Sequence, residues 1–529
     1  MYSAPLRTVL FSGQTFDLYV DSVNGNDAND GRRPNAAKRT IAGLGTLWSG
    51  VRIALAGGSQ FRERLDLPVN GKVAKYGSGA DPILDASDIA PSGSWSKTGG
   101  QTNVYEISWT HSIVDAQSKH SLWINAVRMV RATSVANCDA TPGSFYAAAP
   151  SAGSPTTVYV HPTGSTNPTS DGKVYEITRR EYGLWLNNGG RASDIYCRYG
   201  AHTWGNLIAQ DDCILTRCTG KDGWRHNIFI AHNSQAIDCV AEDIEGGTVS
   251  GDNSHFIAFR SAANLSASFT RCIARGTNAM GLTAVAGFYA HTGSGTAATI
   301  NYYQCSAKQC QQAFGSSATA TNVIGCTITD CTFGVAVAAG YNVYGCFING
   351  KSGALGIRMT RALSGVTIAG TVNVKGNVII GTKGISDGGL IWNSAGNGAT
   401  WNVDQNTICL VDRQSYTTGF SPFNGTSVTV NLTRNIFYTL DKAMHCGNTV
   451  TLSSDNNVFS PATMDARNNG TDYTTIAAYQ SASGLDAGSS TSDPLFVNSD
   501  PLTWASIADA AVQGGSPAVS RQAGATYYQ

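Results

Sequence analysis

The sequence predicts an all-β solenoid, a fold in which short strands stack coil upon coil. One position recurs eleven times between residues 197 and 457, at intervals of about 21 residues or of that length plus an insertion. The segments around it are short, rich in Val, Ile, Thr, Tyr and Phe, and bounded by Gly, Asn, Asp and Ser. Glycine makes up 59 of 529 residues, which favours turns over helices. We therefore expect coils of about three short strands each.

The recurring position carries Cys in the first seven coils and Asn in the last four. Stacked coils place equivalent residues ~4.8 Å apart, so identical side chains form ladders. Cys is small enough for a tight interior stack, and the amide of Asn can bond the residues above and below it at a turn. The Leu framework of leucine-rich repeats is absent. The eleven residues are Cys197, Cys218, Cys239, Cys272, Cys305, Cys326, Cys346, Asn377, Asn406, Asn435 and Asn457.

The composition bounds the class of partner. Hydrophobic residues make up 42% of the chain and charged residues 14%, which suits a long core. The formal net charge is zero, which argues against nucleic acid or an anionic membrane surface as the main partner. No apolar run reaches 18 residues, so we expect no transmembrane helix. The segment Met1–Gly13 lacks the apolar core and cleavage site of a signal peptide, and we expect none.

The thirteen cysteines are interpreted as reduced structural residues. Zinc is the alternative, but the sequence contains no Cys-x-x-Cys pair, and its Cys-x4-Cys pairs spread over separate coils. Thiols kept reduced indicate folding in a cytoplasm.

Four segments follow along the chain. We expect a short N-terminal arm over residues 1–20, and the start of the solenoid over 21–180 with an aromatic-rich insertion near 90–165. The regular coils then occupy 181–460, and 461–529 forms a cap over the last coil, as an open sheet edge requires. The insertion carries Trp95, Trp109, Trp123, Tyr146 and Tyr159.

Both ends of the chain contain motifs of a known superfamily. Residues 19–31 read Tyr-Val-Asp-Ser-Val-Asn-Gly-Asn-Asp-Ala-Asn-Asp-Gly and are followed by Arg-Thr-Ile at 39–41. Near the end stand Asp-Pro-Leu-Phe at 493–496 and Gly-Ser-Pro-Ala at 515–518. These motifs resemble the openings and endings of right-handed single-stranded parallel β-helix proteins of the pectate-lyase-like superfamily, which include phage tailspikes and polysaccharide-degrading enzymes.

The resemblance implies expectations about assembly. Tailspikes of this kind are usually trimers, so we expect a homotrimer on a virion, joined to a phage tail or adaptor protein by the N-terminal arm. Secretion from a bacterium is the alternative location. The Asp27–Gly31 segment also looks like a calcium loop, but we interpret it as a turn that orders the first coil.

Acidic residues follow the ladder on adjacent coils. Asp222 and Asp243 both lie four residues beyond it, and Lys221, Glu242, Arg275 and Lys308 lie three beyond it. Like charges stacked ~4.8 Å apart repel, and catalysis by paired carboxylates is a reason to keep them. The 33-residue intervals around Cys272 indicate long neighbouring loops that could form the wall of a cleft. The first of these loops adds Glu245 and Asp252 to the candidate catalytic set.

A second polar column is expected on the following strand. It consists of Asp211, His232, Arg260 and His291, one on each coil, with Trp224 and Arg225 just ahead of His232. We expect these residues, with Arg275, to bind substrate, because a groove with acids on one side, His and Arg on the other and an indole nearby suits an oligosaccharide. The structural alternative is that single Asp residues cap turns, and that His226 and His255 lie at turn surfaces.

The favoured hypothesis is a tailspike-like depolymerase that hydrolyses a bacterial capsule or O-antigen polysaccharide without a cofactor. Carboxyls on adjacent coils match a retaining glycosidase and more distant ones an inverting enzyme; we favour inversion, which the resemblance implies. Asp211-Asp212 is similar to the paired Asp of polygalacturonases, but the companion motifs Asn-Thr-Asp and Gly-His-Gly are missing. The alternatives are a lyase acting on uronic acids, which would use calcium or a basic side chain, and a non-catalytic glycan-binding adhesin.

Overall fold

The protein is a single-stranded parallel β-helix, as its computed structural model shows. Each coil contributes a strand A, a strand B and a strand C in chain order, and each pairs with its equivalent on the neighbouring coil. The chain divides into two compact units: an N-terminal unit, whose described residues lie within 15–257, and a C-terminal unit, whose described residues lie within 258–527. The structure describes residues 15–527 apart from 116, 152–153, 246–252, 261–263, 277–284, 293–297, 317–319, 338–339, 351–354, 360–369, 382–388, 394–397, 411–417, 422–426, 439, 441, 448 and 462–464.

The N-terminal unit holds the first coils. Its A strands are Leu18–Val20, Arg52–Ala56, Lys72–Tyr76, Arg191–Ser193, Ile214–Thr216 and Ser234–Ile237. Its B strands are Gln60–Phe61, Ile83–Asp85, Tyr196–Arg198, Thr219–Gly223 and Val240–Ile244. Its C strands are Leu65–Leu67, Leu184–Leu186, Leu207–Ala209, His226–Ile230 and the start of Asn253–Arg260. Short 3-10 helices span Pro34–Ala36 and Ala42–Leu44.

The C-terminal unit repeats the same order. Its A strands are Leu265–Thr270, Ala298–Tyr303, Ala320–Ile324, Tyr341–Tyr344, Gly370–Lys375, Ala399–Asp404, Val428–Thr433 and Val450–Asp455. Its B strands are Ile273–Arg275, Ser306–Lys308, Thr327–Thr329, Phe347–Gly350, Val378–Gly381, Thr407–Leu410, Ile436–Tyr438 and Val458–Ser460. Its C strands are Val285–Thr292, Gln312–Ser316, Phe333–Val337, Leu355–Met359, Gly389–Asn393, Thr418–Ser421, Lys442–His445 and Asp465–Asn468, followed by the antiparallel Thr471–Tyr473.

The ladder lies at the turn from strand A to strand B, and it is buried. In the N-terminal unit Cys218 and Cys239 each follow a residue with a left-handed backbone. In the C-terminal unit the buried Asn406 donates from Nδ2 to the carbonyl of Val374 at 2.8 Å and to Oδ1 of Asn435 at 2.9 Å. The amide ladder therefore satisfies buried backbone groups that a Cys thiol bonds only weakly.

One predicted ladder member is misplaced. Cys197 is buried, but it lies inside strand B, opposite Gly220. The ladder slot of this coil belongs to Ile195, whose carbonyl accepts from Thr219 as that of Cys218 accepts from Val240. Asp194 has a left-handed backbone, as does the residue before each of the other ladder positions. The ladder position of this coil is therefore residue 195, two residues before Cys197. The 21-residue spacing from Cys197 to Cys218 is therefore coincidental.

One insertion, residues 86–183, occupies the turn between strand B and strand C of a single coil in the N-terminal unit. One of its sheets contains Ser87–Ile89, Leu122–Ile124, Val127–Arg128 and Tyr175–Thr178. The other contains Ser96–Lys97, Tyr105–Trp109, Val130–Arg131, Ser144–Ala147 and Thr156–His161, beside the helices Ser92–Ser94 (3-10) and Val135–Ala140 (α). Trp95 and Trp109 are buried in the core of the insertion, whereas the buried Trp123 stacks on Tyr199 of the coils, with ring centres 3.8 Å apart. These three indoles therefore offer little or no surface to a glycan.

The final segment covers part of the C-terminal unit. Phe496, Trp504 and Ala518 pack with Val378 and Ile436 of the B strands in one buried cluster. The helices of this segment are Ile476–Ser483 and Pro517–Arg521, with 3-10 turns at Pro501–Thr503, Ile507–Ala510 and Ala525–Tyr527. Within the part of the chain that the structure describes, the longest helix has eight residues, and none could cross a bilayer.

Candidate functional site

The ends of the B strands in the N-terminal unit, just before the chain turns into strand C, bring the predicted acids together. We call this place the acidic turn. Strands Thr219–Gly223 and Val240–Ile244 pair in parallel, with Lys221 opposite Glu242 and Gly223 opposite Ile244. This register sets Asp222 beside Asp243 on the neighbouring coil. Both acids have a left-handed backbone, with φ of 57° and 43°, a conformation that Asp tolerates better than most residues.

Asp222 is held by a residue of the insertion. Its Oδ1 lies 2.6 Å from Nη2 of Arg128, and both side chains are almost fully buried. Burial raises the pKa of the Asp222 carboxyl; the Arg128 guanidinium opposes the rise and the Asp243 charge adds to it. Nε and Nη1 of Arg128 are buried and have no hydrogen-bond partner among the described residues.

Asp243 is also incompletely satisfied. Its Oδ2 lies 3.7 Å from Nζ of Lys221, which in turn lies 3.6 Å from Oε2 of Glu242. Its Oδ1 is buried and finds no partner in the part of the chain that the structure describes. The Lys221 side chain is 34% exposed, so water and small solutes can approach this acidic pair.

His255 completes the cluster from the neighbouring C strand. Its ring is buried, and neither nitrogen has a partner within the described ranges. Burial lowers the pKa of His255 to about 4. The positive charge of Arg128 also lowers this pKa, whereas the negative charge of Asp243 opposes the shift. The expectation that His226 and His255 lie at turn surfaces is wrong, because both residues are buried in C strands, where His226 Nδ1 lies 3.0 Å from Oγ of Ser254.

Unpartnered polar atoms therefore concentrate around two carboxylates. A buried polar group without a hydrogen bond costs about 1–3 kcal/mol, and native structures contain few of them. Here Arg128, Asp243 and His255 all carry atoms that are unpartnered within the part of the chain that the structure describes, and their charges influence one another. This concentration indicates a place prepared for a polar molecule, and we take it as the candidate functional site.

Glu245 and Trp224 fasten the insertion beside this site. Glu245 is buried, with Oε1 2.5 Å from Nε of Arg131, and Oε2 accepts from the Ser121 hydroxyl. The guanidinium of Arg131 also lies 4.9 Å from the ring centre of Trp224, which is 4% exposed. A sugar could stack on Trp224 only if Arg131 moved away.

The second polar column does not share the acidic turn. Asp211 and His232 lie at the next turn, from strand C to strand A, where Oδ1 of Asp211 accepts from the backbone N–H of His232 at 3.1 Å. The five-residue strand His226–Ile230 separates His232 from Asp222, a distance of roughly 17 Å along an extended backbone. Asp211 therefore serves as a turn cap here, whereas Trp224 and the half-buried Arg225 directly follow the Asp222 strand.

The remaining predicted residues belong elsewhere or are not described. Arg275 is exposed at the end of a B strand of the C-terminal unit. His291, in the same unit, packs 5.3 Å from the Phe259 ring. Asp252 lies outside the described residues, as does the side chain of Arg260.

Sequence reasoning missed the residues that the insertion contributes. Arg128 and Arg131 come 94 and 114 residues before Asp222 and Glu245, their partners. A signal was present, since two arginines stand three apart in an apolar stretch, Val127–Arg131, of a chain with few charges. No repeat pattern connects this stretch to the coils, so their partners could not be named.

Other structures resemble this fold at low similarity, whereas no family model and no curated protein matches the sequence. A complex of XylC with xylose shares 9% identity at a TM-score of 0.47, covering 91% of this chain and 87% of that one. A protein described as a glycoside hydrolase shares 10% identity at a TM-score of 0.41, covering 89% and 99%. The tailspike gp49 from Pseudomonas phage LKA1 shares 11% identity at a TM-score of 0.18, covering 80% and 74%. These scores support no statement about activity.

Proposed function

We propose that the protein is a tailspike-like depolymerase that hydrolyses glycosidic bonds of a bacterial surface polysaccharide at Asp222 and Asp243. One observation carries the proposal: two carboxylates stand side by side on neighbouring coils, within a cluster of buried polar atoms that lack partners among the described residues. Glycoside hydrolysis needs a pair of acids, one to protonate the leaving oxygen and one to act on the sugar or on water.

The environments of the two acids suggest their roles. Asp222 is the more buried carboxyl and its pKa is raised by that burial, so it suits the acid that donates a proton to the glycosidic oxygen. Asp243 then acts on the other side of the bond. Its position one coil away corresponds to ~4.8 Å between backbones, close to the ~5–5.5 Å carboxyl separation of retaining enzymes.

This register favours retention over the inversion that we expected from the sequence. In a retaining reaction Asp243 attacks the anomeric carbon as the leaving oxygen takes the proton of Asp222. Water then replaces Asp243 at that carbon and returns a proton to Asp222. An inverting enzyme would need a second, more distant acid, for which Glu242 and Asp252 are the candidates. The anomer first released, read by proton NMR, separates the two outcomes.

The test is a pair of variants, Asp222→Asn and Asp243→Asn, assayed on purified capsular and O-antigen polysaccharides. Asn keeps the side-chain volume and tolerates the left-handed backbone, so we expect at least a ~100-fold loss of cleavage with no loss of secondary structure by circular dichroism. Asp404→Asn is the matched control, because Asp404 is a buried carboxylate 2.5 Å from Arg434 in the C-terminal unit. Full activity in both test variants would refute the assignment.

The mass of the products distinguishes hydrolysis from the lyase alternative. Hydrolysis adds one water to each broken bond, whereas β-elimination adds none and leaves a product that absorbs in the ultraviolet. One feature favours the lyase alternative: Nε and Nη1 of Arg128 are unpartnered among the described residues and could neutralise a uronate, a role that calcium could also fill. A glycan that is bound and recovered intact would instead indicate an adhesin.

Assembly and location are further proposals. We infer a homotrimer carried on a virion and attached to a phage tail or adaptor protein by the N-terminal arm. Strand Leu18–Val20 is paired with Arg52–Ala56 in the first coils, so the expected arm is shorter than residues 1–20. Sedimentation of the purified protein tests the trimer, and loss of attachment on deletion of residues 1–14 tests the arm. A monomer, or attachment without the arm, would contradict these inferences.

A further inference from the structure

Next to the acidic turn, aromatic rings cover the outer face of the C strands. Trp185, Trp204 and Phe229 come from three successive coils of the N-terminal unit. The Trp204 and Phe229 rings are stacked, with centroids 5.3 Å apart and planes 12° apart. The Trp185 ring lies 5.8 Å from Trp204 at 31°. Phe229 is only 3% exposed, so it supports the Trp204 ring from within, and the open surface is formed by Trp204 and the half-buried Trp185. We call these two indoles, with the Phe229 ring beneath them, the aromatic platform.

The register of the strands explains why the platform faces outward. Trp185 pairs with Asp66 on one side and Ile208 on the other, and Ile208 pairs with Phe229. These four positions share one face, since side chains alternate along a strand. Ile208 has no exposed surface, whereas Trp204 is 38% exposed. The tryptophans thus cover the aliphatic side chain and leave an indole open to solvent.

The turn that carries Trp204 is fixed before any ligand arrives. The Trp204 backbone N–H donates to Nδ1 of His202 at 2.9 Å, and the Thr203 hydroxyl donates to Asp115 of the insertion at 2.6 Å. Asn206 accepts from the backbone of Gly200 at 2.5 Å and donates to the carbonyl of Lys221 at 2.6 Å. A surface ordered in advance loses little conformational entropy on binding.

Polar groups of both signs border the platform. Arg64 and Asp66 form an exposed ion pair at 3.1 Å, and the side chains are 42% and 43% exposed. The bond from Trp204 to Nδ1 makes Nε2 the protonated nitrogen of neutral His202. A rigid apolar surface bordered by a few donors and acceptors is the usual composition of a small-ligand site. Pyranose rings have this complementary character, with apolar C–H faces and hydroxyls at the edge.

We propose that the aromatic platform is a binding subsite for the sugar rings next to the cleaved bond. It deepens, and rests on, the function proposed above. From Asp66 through Trp185 to Trp204 the open surface crosses three coils, ~10 Å, which is more than one ring requires. The subsite therefore holds a chain of pyranose units rather than a monosaccharide. Trp204 stacks on Phe229, whose strand directly follows the end of the Asp222 strand, so a chain bound on Trp204 would lie one coil from the acidic pair.

The test compares Trp204→Ala with Trp48→Ala, which removes another exposed indole, 48% exposed, of the same unit. Binding of purified capsular and O-antigen polysaccharides is measured by affinity electrophoresis in the Asp222→Asn background, so that cleavage is not needed. Relative to the Asp222→Asn parent, we expect Trp204→Ala to weaken glycan binding ~10-fold or more. Trp204→Phe should bind nearly as well as the parent, and Trp48→Ala should bind equally well. In the active enzyme, Trp204→Ala should raise KM and change kcat little.

Each result separates the subsite from the catalytic proposal. Glycan binding that depends on Trp204 in a protein that cleaves nothing would keep the subsite and reject the hydrolase. Cleavage with unchanged KM in Trp204→Ala would keep the hydrolase and reject the subsite. Equal loss in the Trp204 and Trp48 variants, or no binding of any glycan by the Asp222→Asn parent, would also reject the subsite.

Discussion

Arg128→Met should loosen the insertion from the coils of the N-terminal unit. Arg128 is 5% exposed and Asp222 12% exposed, with 2.6 Å between their charged atoms. Removing one partner of a buried ion pair costs about 3–5 kcal/mol, because the other charge stays buried without compensation. Met keeps most of the side-chain volume, so a cavity adds little. We expect a loss of local stability in this range.

The pH dependence of that loss has a definite sign. Burial already raises the pKa of Asp222, and the guanidinium opposes the rise, so Arg128→Met raises it further. A carboxyl whose pKa in the folded state exceeds its unfolded value of about 3.9 stabilises the fold only while it is protonated. The penalty of the variant should therefore be small near pH 4 and should grow as the pH rises through the folded-state pKa of Asp222.

Hydrogen exchange is the suitable assay, because a chain of this size need not unfold in one step. The amides of Leu122–Ile124, in the strand beside Arg128, should exchange about 100-fold faster at pH 7, or more. Two controls test whether the lost ion pair with Asp222 causes the faster exchange. Arg179→Met removes a more exposed guanidinium, 2.6 Å from Asp88, and should cost less than about 1 kcal/mol; Arg128→Met with Asp222→Asn should recover much of the loss. Equal effects of Arg128→Met and Arg179→Met, or a penalty that does not vary with pH, would refute the reasoning.

Three further predictions concern buried groups. Asn406→Ala removes the partner of the Asn377 N–H and of the Val374 carbonyl, so it should lower the free energy of unfolding in urea by about 2–4 kcal/mol. Asn406→Cys should lower it less, because a thiol can still donate a hydrogen bond. Equal losses in the two variants would contradict this. His255→Leu should relieve acid sensitivity, since a His with a pKa lowered to about 4 withdraws stability as the pH falls from 6.5 to 4, by up to about 3 kcal/mol; an unchanged acid transition would exclude it. Cys239→Ala should cost about 1–2 kcal/mol through a small void, and rapid labelling of native Cys239 by a bulky thiol reagent would contradict its buried position.

The fold followed from the sequence because a solenoid repeats its local rules. Each coil needs a left-handed residue and then a small or amide-bearing residue at the turn from strand A to strand B, and ten of the eleven positions found by spacing fit this rule. The exception is instructive. Ile195 fills the slot with a common aliphatic side chain, so a search for Cys passed over it and chose Cys197, a buried residue of the adjoining strand.

The candidate site followed only in part. The pairing of Asp222 with Asp243 comes from the repeat and was predictable, because equal offsets from the ladder become neighbours. Arg128 comes from the insertion, which obeys no repeat, so its contact with Asp222 depends on a tertiary fold that the spacing does not encode. The same reason explains the error at Trp224. The sequence predicted that its indole binds substrate, but Arg131 of the insertion covers the ring. The exposed indole is that of Trp204, one coil before the Asp222 coil, and the half-buried Trp185 lies beside it, two coils before the Asp222 coil.

The division between regular coils and one irregular insertion has a functional logic. Coils alone would stack Asp222 and Asp243 in solvent, where their like charges are screened and neither carboxyl is desolvated. The insertion buries Asp222 beside an arginine, which keeps its carboxyl chemically distinct from that of Asp243. Two acids in different environments are what acid catalysis with a nucleophile requires. On this argument the repeat supplies the spacing of the acids, and the insertion supplies the asymmetry between them.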